Sequence, residues 1–233
     1  MDIKFVKDFI ADENDFVNLP QNHPNYDFWV RQSEELKGLK LKEISSKEFV
    51  KAINQAKNKN LLFDLMENVK TNFIYSSWTH GINHNIRVAL FAFYIANALA
   101  LDDRMTTLAI YASLYHDTGR VDDEEDAKHG LRSANRLDEI GLNLPKEDLK
   151  ILKTAIISHS IDDCEFESVA KKMRVKDITN CTTLFKILKD ADGLDRVRLE
   201  APYVRYDFLR NEVSKRLVPL SYIIEYNYAD KIQ

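Results

Sequence analysis

A chain of 233 residues with 45% hydrophobic content can bury a full core, as one domain or as one domain with an appendage. Its net charge of −4 provides no basic field for a nucleic-acid polymer or an anionic membrane surface. The longest apolar run, Val88 to Leu101, has 14 residues and falls short of the ~20 needed to span a bilayer.

Only six glycines and five prolines, with few alternating β-branched runs, predict an all-α protein. The start, Met1 to Phe5 running into Asp12-Glu13-Asn14-Asp15, lacks the apolar centre of a signal segment. Residues 1–45 are the least regular, with Pro20, Pro24, Phe16, Tyr26, Phe28 and Trp29, and read as an arm packed on a body formed by 46–233. Ser46 onward starts a helix with a serine cap and an acid in its first turn. A second helix is expected over Leu61 to Tyr75, with Leu61, Leu62, Leu65, Val69 and Phe73 on one face.

From His80 the text is densely helical. His84 to Leu101 and Met105 to His116 read as buried helices, the second expected to end at Gly119 in the left-handed conformation. Asp122-Asp123-Glu124-Glu125-Asp126 reads as a solvated acidic loop. His129 then opens an amphipathic helix carrying Leu131, Ala134, Leu137 and Ile140, stopped by Gly141 and Pro145. Further helices are expected over Leu149 to Ser158, ending at His159, and over Thr183 to Leu194; the tail 205–233 packs as one or two more. Cys164 and Cys181 form no CxxC pair and read as reduced, buried thiols of a cytoplasmic protein, with a disulfide between them left open but unneeded.

Of the six histidines, five (His80, His84, His116, His129 and His159) fall at helix edges or beside glycine, serine or aspartate. Scattered core histidines have no reason to choose such places. With Asp117 and the aspartates Asp190 and Asp192 they supply nitrogen and oxygen donors from separate helices, a set that suits Mn, Fe, Co, Ni, Zn or Mg. Tyr75, Trp78, Tyr203 and Tyr206 flank these segments and read first as packing residues.

Three blocks in order, His84-x-x-Arg87-Val88, Leu114-Tyr-His116-Asp117-Thr-Gly-Arg120 and Leu188-Lys189-Asp190-Ala-Asp192-Gly-Leu-Asp195-Arg196, resemble the HD-domain superfamily of metal-dependent phosphohydrolases over residues 60–210. The resemblance implies an HD-type helical bundle with one or two divalent metal ions. It implies His84, His116, Asp117 and Asp192 as primary ligands, Asp190 being the rival for the last place. His129 and His159 would complete a second site. The similar His-x-x-x-His block of cyclic-nucleotide phosphodiesterases makes His80 the general acid, and Asp117 would orient the attacking water. Arg120, Lys189, Arg196 and Arg198 are then the cations available for substrate phosphate, and Arg87 a residue that pairs with a carboxylate between helices.

The implied activity is hydrolysis of a small phosphorylated molecule, a nucleotide foremost, with no polymer or membrane partner and with homo-oligomerisation left open. No Gly-Tyr-Pro block marks a cyclic-di-GMP enzyme. The same ligand types also fit the HD-type di-iron oxygenases, and a nucleotide-binding regulatory module is the third reading.

Overall fold

The computed structural model describes residues 6–7, 10, 16–199 and 202–229, and all regular structure among them is helical. Most of residues 1–15, on which the expectation about a signal segment rests, lies outside the described residues. In chain order the helices are α1 (Tyr26–Gly38), α2 (Ser46–Gln55), α3 (Lys59–Glu67), α4 (Ile82–Ala98), α5 (Asp103–Tyr115), α6 (His129–Ile140), α7 (Lys146–His159), α8 (Phe166–Met173), α9 (Ile178–Leu194) and α10 (Glu212–Ala229). Single 3₁₀ turns stand at Thr71–Phe73, Asp163–Glu165, Asp195–Arg198 and Tyr206–Phe208.

Helix α4 is buried on every side from His84 to Phe93, and α5 nearly so, which marks them as the centre of the bundle. They pack on each other, α9 lies across both, α7 covers α9, and α6 lies on α7. Local chemistry fixes the starts. The Ser45 hydroxyl and the Glu48 carboxylate form a reciprocal capping box on α2. Asp102 accepts from Met105 N at 2.8 Å to open α5, and Asp177 accepts from Asn180 N at 3.2 Å to open α9. No helix among the described residues is long and apolar enough to cross a membrane.

Several sequence expectations need correction. The helix expected over Leu61 to Tyr75 stops at Glu67, where the Asn68 side chain donates to Asp64 O at 2.8 Å and competes with the next backbone bond. Leu131 does not join the apolar face of α6 but stays 50% exposed. Helix α8 was not foreseen, although Asp162 followed by Phe166 and Ala170, four apart and both buried, carries its signal. Both cysteines are free, but only Cys181 is buried; Cys164 is exposed.

The arm docks on the tail. Gln32 of α1 is fully buried, its side-chain oxygen accepting from Val204 N at 3.0 Å while its carbonyl accepts from Tyr206 OH at 2.7 Å. The Ile44 amide donates to Arg216 O of α10 at 3.0 Å. Tyr206 is thus a packing residue, and arm and tail form one layer beside the bundle.

Candidate metal centre

The ends of five helices converge at one place. His84 sits in the first turn of α4, His116 caps the end of α5 with Asp117 next to it, His129 opens α6, and His159 closes α7. Asp192 lies in the last turn of α9. Two close approaches make this convergence. A Cβ on Gly130 would meet Ile156 O at 2.5 Å and Ser160 Oγ at 2.6 Å, so only glycine lets α6 lie close enough to α7 to bring His129 beside His159. Gly119 was expected as a left-handed cap, but its φ is not positive and α5 ends before it. Its role is again proximity: a Cβ there would lie 2.4 Å from His129 O and from Ser133 N.

Each of the four histidines donates from Nδ1 to a group that can only accept. His84 donates to Asp195 Oδ2 at 2.7 Å, His116 to Ser113 O at 2.8 Å, His159 to Ile156 O at 2.5 Å and His129 to Asp126 O. A neutral imidazole so engaged carries a bare lone pair on Nε2. These lone pairs point at one another: His84 Nε2 lies 3.1 Å from His116 Nε2, and His129 Nε2 lies 2.9 Å from His159 Nε2. Burial pushes the His116 imidazole down to about 3, against the pull of Asp117, and so keeps it neutral. Lone pairs facing each other in a dry interior need a cation among them.

The carboxylates complete two clusters. Asp117 Oδ2 lies 3.6 Å from both His84 Nε2 and His116 Nε2, and Asp192 Oδ1 lies 3.3 Å from His84 Nε2. On the other side Asp117 Oδ1 lies 3.2 Å from His129 Nε2 and 3.7 Å from His159 Nε2. The potential ligand atoms of His84, His116 and Asp192 lie within 4.8 Å of one another, as do those of His116, Asp117 and His159. The donor chemistry therefore fits divalent metal, with Asp117 facing both clusters. Asp192, its side chain 31% exposed, marks the open edge.

The remaining candidates divide by what already holds them. Asp190 is not at the centre: it is fully buried and accepts from Arg210 N at 2.9 Å, Asn211 N at 2.8 Å and Asn211 Nδ2 at 2.8 Å, tying the tail to α9. Lys189 donates to Ile161 O at 2.6 Å and Asp163 Oδ1 at 2.5 Å. Arg198 donates to Thr79 O at 2.6 Å and Asp195 O at 2.8 Å. Arg120 donates to Glu124 O at 2.7 Å, with its Nε 3.5 Å from Asp117 Oδ1. Arg196 alone of the four is exposed, and its guanidinium makes no ion pair among the described residues. Arg87 pairs with Asp195 through Nε at 2.6 Å and Nη2 at 2.9 Å.

His80 precedes α4 rather than lying on it, in a turn where the Ser77 hydroxyl accepts from Thr79 N at 2.9 Å and His80 N at 3.1 Å. Its Nδ1 lies 2.9 Å from Asp117 Oδ2. Ser77 also donates to Asp123 Oδ1 at 2.5 Å, so the acidic loop is anchored against the turn that carries His80. The sequence reading missed Ser77 and the role of Asp195, although Asp195 stands three residues beyond Asp192 and hence on the same side of a helical turn.

A cleft opens over the centre in two lobes that share His159, Asp192 and Arg196. One, about 580 Å³, includes His80, Asp117 and the acidic loop. The other, about 640 Å³, runs between α9 and the segment Tyr203 to Arg210.

A family model for the HD domain matches residues 81–197. No curated protein and no solved structure matches the chain.

Proposed function

The chain belongs to the HD-domain family, whose chemistry is that of metal-dependent hydrolases, and on that premise we propose that it is a phosphohydrolase of a small phosphorylated molecule, a nucleotide foremost. The observation that carries the reading is the pair of facing imidazole lone pairs, 3.1 Å and 2.9 Å apart, on either side of the Asp117 carboxylate at the floor of a cleft. His84, His116, Asp117 and Asp192 would hold one ion, and His129 and His159 with the other Asp117 oxygen a second. A divalent cation held there supplies Lewis-acid charge that lowers the pKa of water and neutralises phosphoryl oxygens.

The chain's own residues do the rest. Arg196, exposed at the junction of both lobes, binds a phosphate oxygen and orients the phosphorus for in-line attack. Water attacks phosphorus and gives up one proton, the ester P–O bond breaks, and the departing oxygen takes one proton, so the protons balance. We assign that proton to His80, which lines the cleft while Asp117 Oδ2 holds it through Nδ1. Arg198, 3.4 Å from His80 Nδ1, and Arg120 brace this edge. The two free cysteines support a cytoplasmic setting.

The test is elemental analysis of protein purified without chelator, followed by a phosphate-release screen over mono-, di- and triphosphates and phosphodiesters. One or two equivalents of Mn, Co, Ni or Zn with release from any of these esters is the expected result. Metal-loaded protein that releases none overturns the assignment, and two irons with oxygen consumption would replace it by an oxygenase.

A further inference from the structure

The two lobes of the cleft differ in charge and in surface. In the lobe over His80 and Asp117 the loop contributes all four of Asp123, Glu124, Glu125 and Asp126, so that with Asp117 and Asp192 six lining carboxylates outnumber the three arginines Arg120, Arg196 and Arg198. The loop is solvated, as its sequence predicts, with residues 122–125 exposed, and it is anchored as well. Asp123 accepts from Ser77, Glu124 O accepts from Arg120, and Asp126 is paired with Arg132. Further phosphates extending into that lobe would face a row of carboxylates held in place, at close range and in a confined volume.

The other lobe is balanced, with four lining carboxylates against four lining cations. Most of these cations are already matched: Lys189 and Arg210 share Asp163 at 2.5 and 2.7 Å, and Arg205 pairs with Asp207 at 2.5 Å. Among the described residues only Arg196, at the junction, is free to take a phosphate. What the lobe offers beyond that is a flat surface. Phe208 lines it while 59% exposed, with the Arg205 guanidinium 3.9 Å from its ring centroid. Tyr203 stands nearby in the lining, fixed through its hydroxyl to Glu35 at 2.5 Å. A large exposed aromatic backed by a stacked guanidinium is a platform for another π face. The volume of about 640 Å³ suits a group of nucleoside size.

We propose that this lobe seats the organic part of a phosphate monoester bearing a flat aromatic group, with a single phosphate at the Arg196 end, and that the acidic wall excludes di- and triphosphates. Phe208, with the Arg205 guanidinium stacked on its ring, is the specificity-determining platform. The phosphate half of the assignment rests on the phosphohydrolase reading; the affinity of the lobe for a flat group does not.

Two measurements separate these halves. Calorimetric titration of the purified full chain with adenosine, which has no phosphate, reads the lobe alone, and Phe208→Ala should weaken that binding about tenfold. In the loaded enzyme, kcat/KM for adenosine monophosphate should exceed that for glycerol phosphate and for adenosine triphosphate at least tenfold. Phe208→Ala should raise KM for adenosine monophosphate about tenfold more than KM for glycerol phosphate. Adenosine binding without hydrolysis of any ester keeps the lobe and removes the hydrolase. Hydrolysis with equal preference for all three esters, or adenosine binding indifferent to Phe208, overturns the proposal.

Discussion

Replacing Asp195 by asparagine probes how the centre is held. This carboxylate is fully buried and faces three cationic or donor groups: His84 Nδ1 at 2.7 Å, Arg87 Nε at 2.6 Å and Arg198 Nη1 at 3.5 Å. Burial would raise its pKa, but Arg87, His84 and Arg198 hold it below the usual range, so it is charged at neutral pH. Arg87 has only 6% of its side chain exposed and packs over the Tyr228 ring of α10, 5.5 Å from the centroid. Asp195→Asn therefore leaves a buried guanidinium without its counter-charge, which costs about 3 kcal/mol of stability. It also replaces the anion that orients His84 with a neutral amide, which weakens metal binding by about 10–100-fold. Urea unfolding reads the first effect and manganese or zinc calorimetry the second. Adding Arg87→Met removes the stranded charge, so the double variant should lose less stability than the sum of the two single variants. If Asp195→Asn stays within ~0.5 kcal/mol of the wild type and binds metal as tightly, the carboxylate neither balances Arg87 nor orients His84, and the reasoning fails.

Asp117→Ala should leave a folded helical protein by circular dichroism and reduce hydrolysis at least ~100-fold, since a group facing both clusters exceeds one that acts through a ligand. Undiminished turnover would remove the metal centre. Gly130→Ala should cost about 1–3 kcal/mol, because the new methyl meets Ile156 O at 2.5 Å and must push α6 off α7; a neutral change in thermal unfolding would show that the helices are not in contact there. Ser45→Ala should cost about 1 kcal/mol through the lost cap of α2. Hydrogen bonds from the Ser45 backbone and hydroxyl, with Lys42, take Glu48 from 4.5 to about 2. A depressed folded value means that this contribution is present above 4.5 and fades as pH falls toward 2. The difference between Ser45→Ala and wild type should therefore shrink across that window in pH-dependent denaturation, and a constant difference would show that Glu48 plays no part.

The helical character of the chain and the blocks around His84, His116-Asp117 and Asp190-Ala-Asp192 were legible in sequence because each depends on residue type, local periodicity and short spacing. Element ends were less so: Asn68 stops α3 early through a bond to Asp64 that periodicity does not report. Asp190 and Asp192 show where sequence runs out. At about 100° per residue they point to nearly opposite sides of one helix, so both read as ligands by type and only one faces the centre. Packing made that choice, with Asp190 turned to the Arg210 and Asn211 amides and Asp192 to His84. The same holds for the cations: Lys189 and Arg196 look alike in a string, but a carboxylate from another turn claims Lys189 and none among the described residues claims Arg196. Sequence settled which residue types are present and how they repeat along a helix. The partner that each donor finds was decided by the crossing of α6 on α7 and of α9 on α4, because a hydrogen bond is set by distances of a few ångströms between segments far apart in the chain.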